Sequence, residues 1–478
     1  MKLSLKVLAA GITALLILSS CVSAPENDTS ETITQNETEP IKTKKIEEKT
    51  PEDPPEVAFA KKLQAKLENR DIQGALALFD TIPDAIASDK DMIFLHASLL
   101  LSSGDLTAAG EMGKNLENDY PDAIEILEMN ALIAKESGNS ADYKNYSNRI
   151  LSLNPNNPTI NIQKGQEFAL NKKWKQAKQS YSRALTEEPD NEDALFGFGL
   201  MNYYLMQDSD AVNSFQKILE NNPHNSMALA YMGKLSAENE NFKGAISYIE
   251  EAIKYDPSNY DFFMDYGTYL HQLNRNSEAI TQWEKARNME PDYFLAYAYL
   301  AGINDELNNY DAALENYRKV IETNPDYFYA FESAGVLEWH AQNWAAARDD
   351  FYKAFVADGQ KNWSYALMIA ATYLKEGNQF KAKEFLAPVL KKTDKESLEY
   401  QMIKFYYDSY SKNAANTLVL KIAKEESSTK RGKLNFYFAL YNEIYNSTEV
   451  AADYYGKVAS MQAPMFFEYR IAEWALGL

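Results

Sequence analysis

Prolines stand at positions 121, 155, 189, 223, 257, 291 and 325, each 34 residues after the last. No other feature of this 478-residue chain restricts its fold so strongly. A second ladder keeps the same interval: Ala75, Ala109, Ala177, Ala211, Ala245, Ala279, Ala313 and Ala347, with Tyr143 in the single gap. A third runs through Gly165, Gly199, Gly233, Gly267 and Gly335, broken only by Ala301. A fourth reads Phe79, Tyr181, Phe215, Ile249, Trp283, Tyr317 and Phe351. Positions so different in chemistry, locked to one interval, mean that one supersecondary unit is written repeatedly.

The unit 260–293 shows what is repeated. Phe263, Tyr266, Gly267 and Leu270 fall three or four apart, on one face of a first helix. Asn274-Arg275-Asn276 is a turn, and Ala279, Ile280, Trp283 and Ala286 line a second helix. Gly267 and Ala279 are small enough to let the two helices approach, and Trp283 fills the space between them. Pro291 ends the second helix, because proline restricts the residue before it and cannot donate the next helical hydrogen bond. One such pair cannot bury both of its faces, so neighbours must stack.

The period and the order of small, aromatic and proline positions resemble the tetratricopeptide repeat (TPR) family. The early tryptophan of that family is replaced here by Leu195, Leu229, Phe263, Tyr297 and Phe331. The resemblance implies an all-α fold, a right-handed superhelical solenoid of about a dozen antiparallel helix pairs. The regular array is expected over 56–359, and degenerate TPR-like repeats over 360–478, where the register slips at Gly359. Ala415 and Ala452 are candidate small positions in that later part. Phe467, Ile471, Trp474 and Leu478 share one face of an expected capping helix that closes the end of the stack. The family binds extended peptides or partner helices along its first helices. Carried onto this chain, that groove would hold Phe196, Tyr203, Tyr204, His271, Asp305, Glu306, Tyr329, Glu332, Trp339 and His340. No frame carries the Lys and Asn pair with which chaperone-binding relatives clamp a terminal carboxylate. The aromatic and acidic lining favours a protein or peptide partner with basic residues.

The N-terminus reads as a lipoprotein signal peptide over 1–21. Lys2 and Lys6 precede an apolar run, Val7 to Leu18, too short to span a membrane comfortably. Leu18-Ser19-Ser20-Cys21 resembles a bacterial lipobox, which implies cleavage before Cys21 and lipidation of that residue. Cys21 is the only cysteine, so no intramolecular disulfide exists. Residues 22–55 form an acidic, Pro-rich tether expected to be disordered, with Pro25, Pro40, Pro51, Pro54 and Pro55. As a flexible coil it would span roughly 30–40 Å. The expected location is the bacterial cell envelope, anchored through acylated Cys21. By resemblance, Ser23 in place of Asp favours the outer membrane.

A formal charge of −21 repels phosphate backbones and argues against a nucleic-acid partner. Four histidines, His96, His224, His271 and His340, lie in different repeats without metal-ligand spacing. No nucleophile elbow or phosphate loop occurs, and the periodic glycines fall inside helices. The sequence therefore points to a non-enzymatic scaffold without a cofactor or metal. The alternative is a ligand-binding accessory component of an envelope transport system.

Overall fold

A computed structural model describes residues 53–408, 412–462 and 465–478. The signal segment with Cys21, and the tether up to residue 52, lie outside them. The described residues form 26 helices and no strand, and divide into two compact units after Asn221. None of these helices is long and apolar enough to cross a membrane.

The first unit opens with Pro55–Glu68 and Ile72–Phe79. Pro83 caps an extra turn, Asp84–Ala87, after the shortened second helix. Pairs follow as Lys90–Ser103 with Leu106–Asp119, Ile124–Glu136 with Ser140–Leu153, Pro158–Leu170 with Trp174–Glu187, and Glu192–Tyr204 with Asp208–Asn221. The second unit pairs Ser226–Glu238 with Phe242–Tyr255, Tyr260–Gln272 with Asn276–Met289, and Phe294–Glu306 with Tyr310–Thr323. It continues as Tyr329–His340 with Trp344–Ala357, Trp363–Lys375 with Gln379–Lys392, Leu398–Tyr407 with Lys412–Ile422, and Ser428–Ile444 with Thr448–Ala459. Phe467–Leu476 is the last helix.

Each ladder has a physical place. All eight alanines of the second ladder are fully buried. In four pairs the aromatic of the second helix lies against a glycine of its own first helix, Gly165, Gly199, Gly267 or Gly335. A Cβ on Gly267 would come within 2.4 Å of Trp283 Nε1, and one on Gly165 within 2.7 Å of Tyr181. The Tyr181 ring is bounded on its other side by Gly197 of the next pair, where a Cβ would meet it at 2.3 Å. The turn inside each of the first nine pairs passes through one left-handed residue. These are Arg70, Gly104, Gly138, Lys172, Met206, Glu240, Asn274, Asn308 and Gln342, again 34 apart. Outside glycine and asparagine that conformation costs roughly 1–2 kcal/mol per residue.

Two readings of the later repeats change. Ala451 is the buried small position of its helix, whereas Ala452 is exposed. The last helix does more than cover the final pair. It packs on Ser428–Ile444 and Thr448–Ala459 and also reaches back to Tyr329–His340. A buried ionic network fixes the register in that region. Arg318 donates to both oxygens of Asp350, at 2.7 and 2.8 Å, and to Glu338 at 2.8 Å, while Asn343 donates to the other oxygen of Glu338. Breaking such a network by removing one partner leaves a buried charge uncompensated.

Gly267→Ala should lower unfolding free energy by about 1–3 kcal/mol, because the new methyl group forces Trp283 out of place. Gly302→Ala, where a Cβ meets nothing within 4 Å, should instead add about 0.5–1 kcal/mol. Urea unfolding of both variants tests this, and equal effects would contradict the close approach at Gly267.

Candidate functional site

The inter-repeat turns begin the site. Asn157, Asn191, Asn225 and Asn259 stand 34 apart and cap the first helices, each side chain accepting a backbone N–H of the first turn. The next two positions in this register are Tyr293 and Tyr327, in the repeated phrase Pro-Asp-Tyr-Phe. Tyr293 caps its helix without a side-chain hydrogen bond, and so does Phe328, which begins the following one. An N-cap side chain is worth about 0.5–2 kcal/mol, and both turns forgo it for rings.

Those rings meet across repeats. Tyr260 and Tyr293 are 4.9 Å apart, Phe294 and Tyr327 5.5 Å, Tyr327 and Tyr329 5.8 Å, and Phe328 and Tyr329 4.1 Å. Tyr329 keeps 56% of its surface exposed at the end of this ladder. Carboxylates flank it: Asp261, Glu290, Asp292 and Asp326 are all exposed. Asp261 is the main influence raising the Tyr260 hydroxyl above its ordinary value. Burial, then Asp261, raises that of Tyr293. Asp265, on the same first helix as Asp261, is raised mainly by burial although Lys234 donates to it.

The other expected groove residues fall into separate settings. In the first unit, Phe196 lies 5.7 Å from Phe215, and Tyr203 lies 5.7 Å from Tyr204, which itself stacks on Trp174 at 4.8 Å. In the second unit, Trp339 is buried against Trp344 at 4.9 Å, so it is a packing residue in this conformation. His271 pairs with Asn276 at 3.0 Å and faces Glu306 at 3.7 Å. Asp305 is taken by the last helix: Arg470 donates to its carboxylate at 2.6 Å and to its backbone carbonyl at 3.2 Å. Trp474, one turn further on, lies 4.1 Å from the His340 ring and donates to the Tyr310 hydroxyl at 3.3 Å. Burial, and then Arg470, lowers the His340 imidazole below its usual value. Glu332 accepts from the Tyr365 hydroxyl, and Tyr365 stacks on Phe467 of the last helix at 6.0 Å.

All ten expected groove residues lie on first helices, and the last helix contacts two of them, Asp305 and His340, which the sequence did not reveal. Asp305, read as an acid awaiting a basic ligand, already holds a guanidinium from 165 residues away. The ring ladder was visible as a repeated phrase, and its departure from the asparagine caps was the signal that could have singled it out. Among the described residues no group of three or more His, Cys, Asp or Glu is placed to hold a metal.

Residues 232–292 and 305–362 match the family model described as tetratricopeptide repeat. No curated protein matches the chain. Among solved structures, the C-terminal part of a TPR repeat-containing protein from Cytophaga hutchinsonii is 14% identical, over 50% of this chain and 98% of its own, with a TM-score of 0.39. PilF of Pseudomonas aeruginosa is 20% identical over 45% and 96%, with a TM-score of 0.35. YrrB, described as a TPR protein with an unusual peptide-binding site, is 19% identical over 39% and 96%, with a TM-score of 0.33.

Burial raises the Glu332 carboxyl above its ordinary value, so the folded chain binds this proton more tightly than the unfolded chain. The resulting stability is present at acid pH and is lost as pH rises through the folded-state value. Relative to Glu332→Gln, the wild type should gain stability as pH falls from neutral toward 4.5, the group's ordinary value. Urea titrations of both proteins across that window should diverge. Parallel profiles would show that Glu332 is not desolvated.

Proposed function

This chain is a tetratricopeptide-repeat protein, and we propose that it is a non-enzymatic scaffold of the bacterial cell envelope. Acylated Cys21 holds it on a membrane, expected to be the outer one, and the tether, read as 22–55, ends at residue 54 because Pro55 begins the first helix. The partner is an envelope protein that presents an extended segment with basic residues to the Tyr260–Tyr329 ring ladder. One observation carries this reading. Tyr293 and Tyr327 replace asparagine caps and line up partly exposed rings beside Asp261, Glu290, Asp292 and Asp326. Rings with a polar edge supply binding area at low entropic cost, and the carboxylates favour Lys or Arg between the contacts. Asp305 and Glu306 contribute less to the partner, since Arg470 and His271 face them.

A second reading, a ligand-binding accessory of an envelope transport system, has its own observation in favour. A cleft of about 720 Å3 lies between Trp344–Ala357 and Gln379–Lys392, with Tyr352, Phe355, Phe385 and Val389 among its walls. That volume is in the range of small-molecule sites.

A photo-crosslinking residue at position 329 of the full-length chain in native membranes tests the scaffold. It should capture a specific envelope protein, and Tyr293→Asn with Tyr327→Asn should reduce capture at least about tenfold, equivalent to about 1.4 kcal/mol. A restored cap at position 293 offsets part of the lost ring contacts, so stability should change by no more than about 1 kcal/mol. Capture that is unaffected by the two substitutions would remove the ladder from the partner site. Absence of any envelope protein would favour the small-molecule reading. Separately, labelled fatty acid should enter the wild type and not Cys21→Ala, and equal labelling would remove the anchor.

A further inference from the structure

Several turns inside the helix pairs are wholly polar, such as Ser137-Gly138-Asn139 and Asn239-Glu240-Asn241, and Leu307 of the turn Leu307-Asn308-Asn309 is only 40% exposed. Two consecutive turns of the first unit break this pattern. Leu170 is 86% exposed, Met206 90% and Tyr204 47%. The two turns are adjacent in space, because Tyr204 stacks on Trp174 and Lys178 donates to Gln207 at 2.6 Å. Met206 adopts φ 55° at the left-handed position that is glycine or asparagine in four sister turns, Gly104, Gly138, Asn274 and Asn308, and charged or polar in the other four, Arg70, Lys172, Glu240 and Gln342. An unbranched apolar side chain is thus kept where the backbone favours glycine or asparagine and where water covers nearly all of it.

The first of these turns is also basic. Leu170-Asn171-Lys172-Lys173-Trp174-Lys175-Gln176-Ala177-Lys178 contains four lysines and no acid, in a chain of formal charge −21. Lys172, Lys173 and Lys175 are exposed. The nearby acids are Glu167, Asp208 and Asp210, and Asp210 already faces Lys178 at 3.5 Å. Protruding aliphatic tips, a stacked Trp–Tyr pair behind them and lysines around them reproduce the order of groups found where proteins enter a bilayer interface. A peptide-binding surface would bury its aliphatic anchors in a concavity, whereas Leu170 and Met206 project outward from turns.

We propose that this edge of the first unit is a lipid-contact surface for bilayers rich in anionic phospholipid. Leu170, Met206, Trp174 and Tyr204 enter the headgroup layer, while Lys172, Lys173 and Lys175 lie on the lipid phosphates. The contact does not depend on acylation of Cys21. If both hold, the chain touches the membrane at its tether and again at this edge.

The full-length chain with Cys21→Ser and an amino-terminal His tag can be held on vesicles by the same small fraction of nickel-chelating lipid, so proximity does not rely on the anchor. A bimane label on Leu170→Cys then reports contact with lipids carrying an acyl-chain nitroxide. In vesicles of phosphatidylglycerol and phosphatidylcholine the label should be quenched. Quenching should fall at least about fivefold in phosphatidylcholine alone, with K172E/K173E/K175E, and with Met206→Asn. Met206→Asn should leave the circular dichroism unchanged and thermal stability no lower, because asparagine suits the left-handed backbone. An unquenched label on anionic vesicles overturns the proposal, as it would if this edge served an acidic protein instead. Equal quenching across all lipids and variants overturns it as well.

Discussion

Everything in each unit depends on one contact: a large ring of the second helix pressed against a residue with almost no side chain on the first. Trp283 over Gly267, and Tyr181 between Gly165 and Gly197, show how little room there is. The contact sets the distance between the helices of a pair, and it also leaves the far side of each pair apolar. The next pair must cover that side, so the geometry that builds one repeat forces its neighbour. The buried alanines have the same logic, since any larger residue there would push successive helices apart.

Where this contact loses its 34-residue register, after Gly359, other interactions take over. The Arg318–Glu338–Asp350 network ties three consecutive helices before the slip. Beyond it the core becomes unusually aromatic, with Tyr437 and Tyr441 among the largest fully buried side chains. Tyr437 donates to the Ser364 carbonyl at 2.9 Å and also hydrogen-bonds Glu468 at 3.0 Å, which ties the last helix to the interior. Arg470 and Trp474 then fix that helix against the Phe294–Glu306 and Tyr329–His340 region. Among the described residues one oxygen of the fully buried Glu468 has no hydrogen-bond partner, and leaving a buried acceptor unmade is costly.

The informative positions are those at which local preference is overridden. Tyr293 and Tyr327 stand where four other repeats use an asparagine cap, and Met206 is the one with an apolar side chain among the nine left-handed turn positions spaced 34 apart. The first departure exchanges capping hydrogen bonds for rings and the second holds an apolar side chain in water, so each presents something outward. These positions lie on different units and carry different chemistry: rings among carboxylates in one, aliphatic tips among lysines in the other.

Sequence alone determined the repeating all-α pair, its period, the buried alanine and glycine positions and the end of seven second helices two residues before a proline. These are legible because a close helix approach tolerates very few residue types. It also exposed the ring phrase and the acidic lining, through composition at fixed spacing. The left-handed turn position was hidden, since Arg70, Lys172, Met206 and Gln342 share no chemistry and only their backbone angle unites them. The Arg470–Asp305 pair was hidden for another reason: 165 residues separate its members, and no local pattern encodes that meeting. Tertiary structure alone decided which acids already have partners, which aromatics are core, and that two ordinary-looking turns bring Leu170 and Met206 together in water.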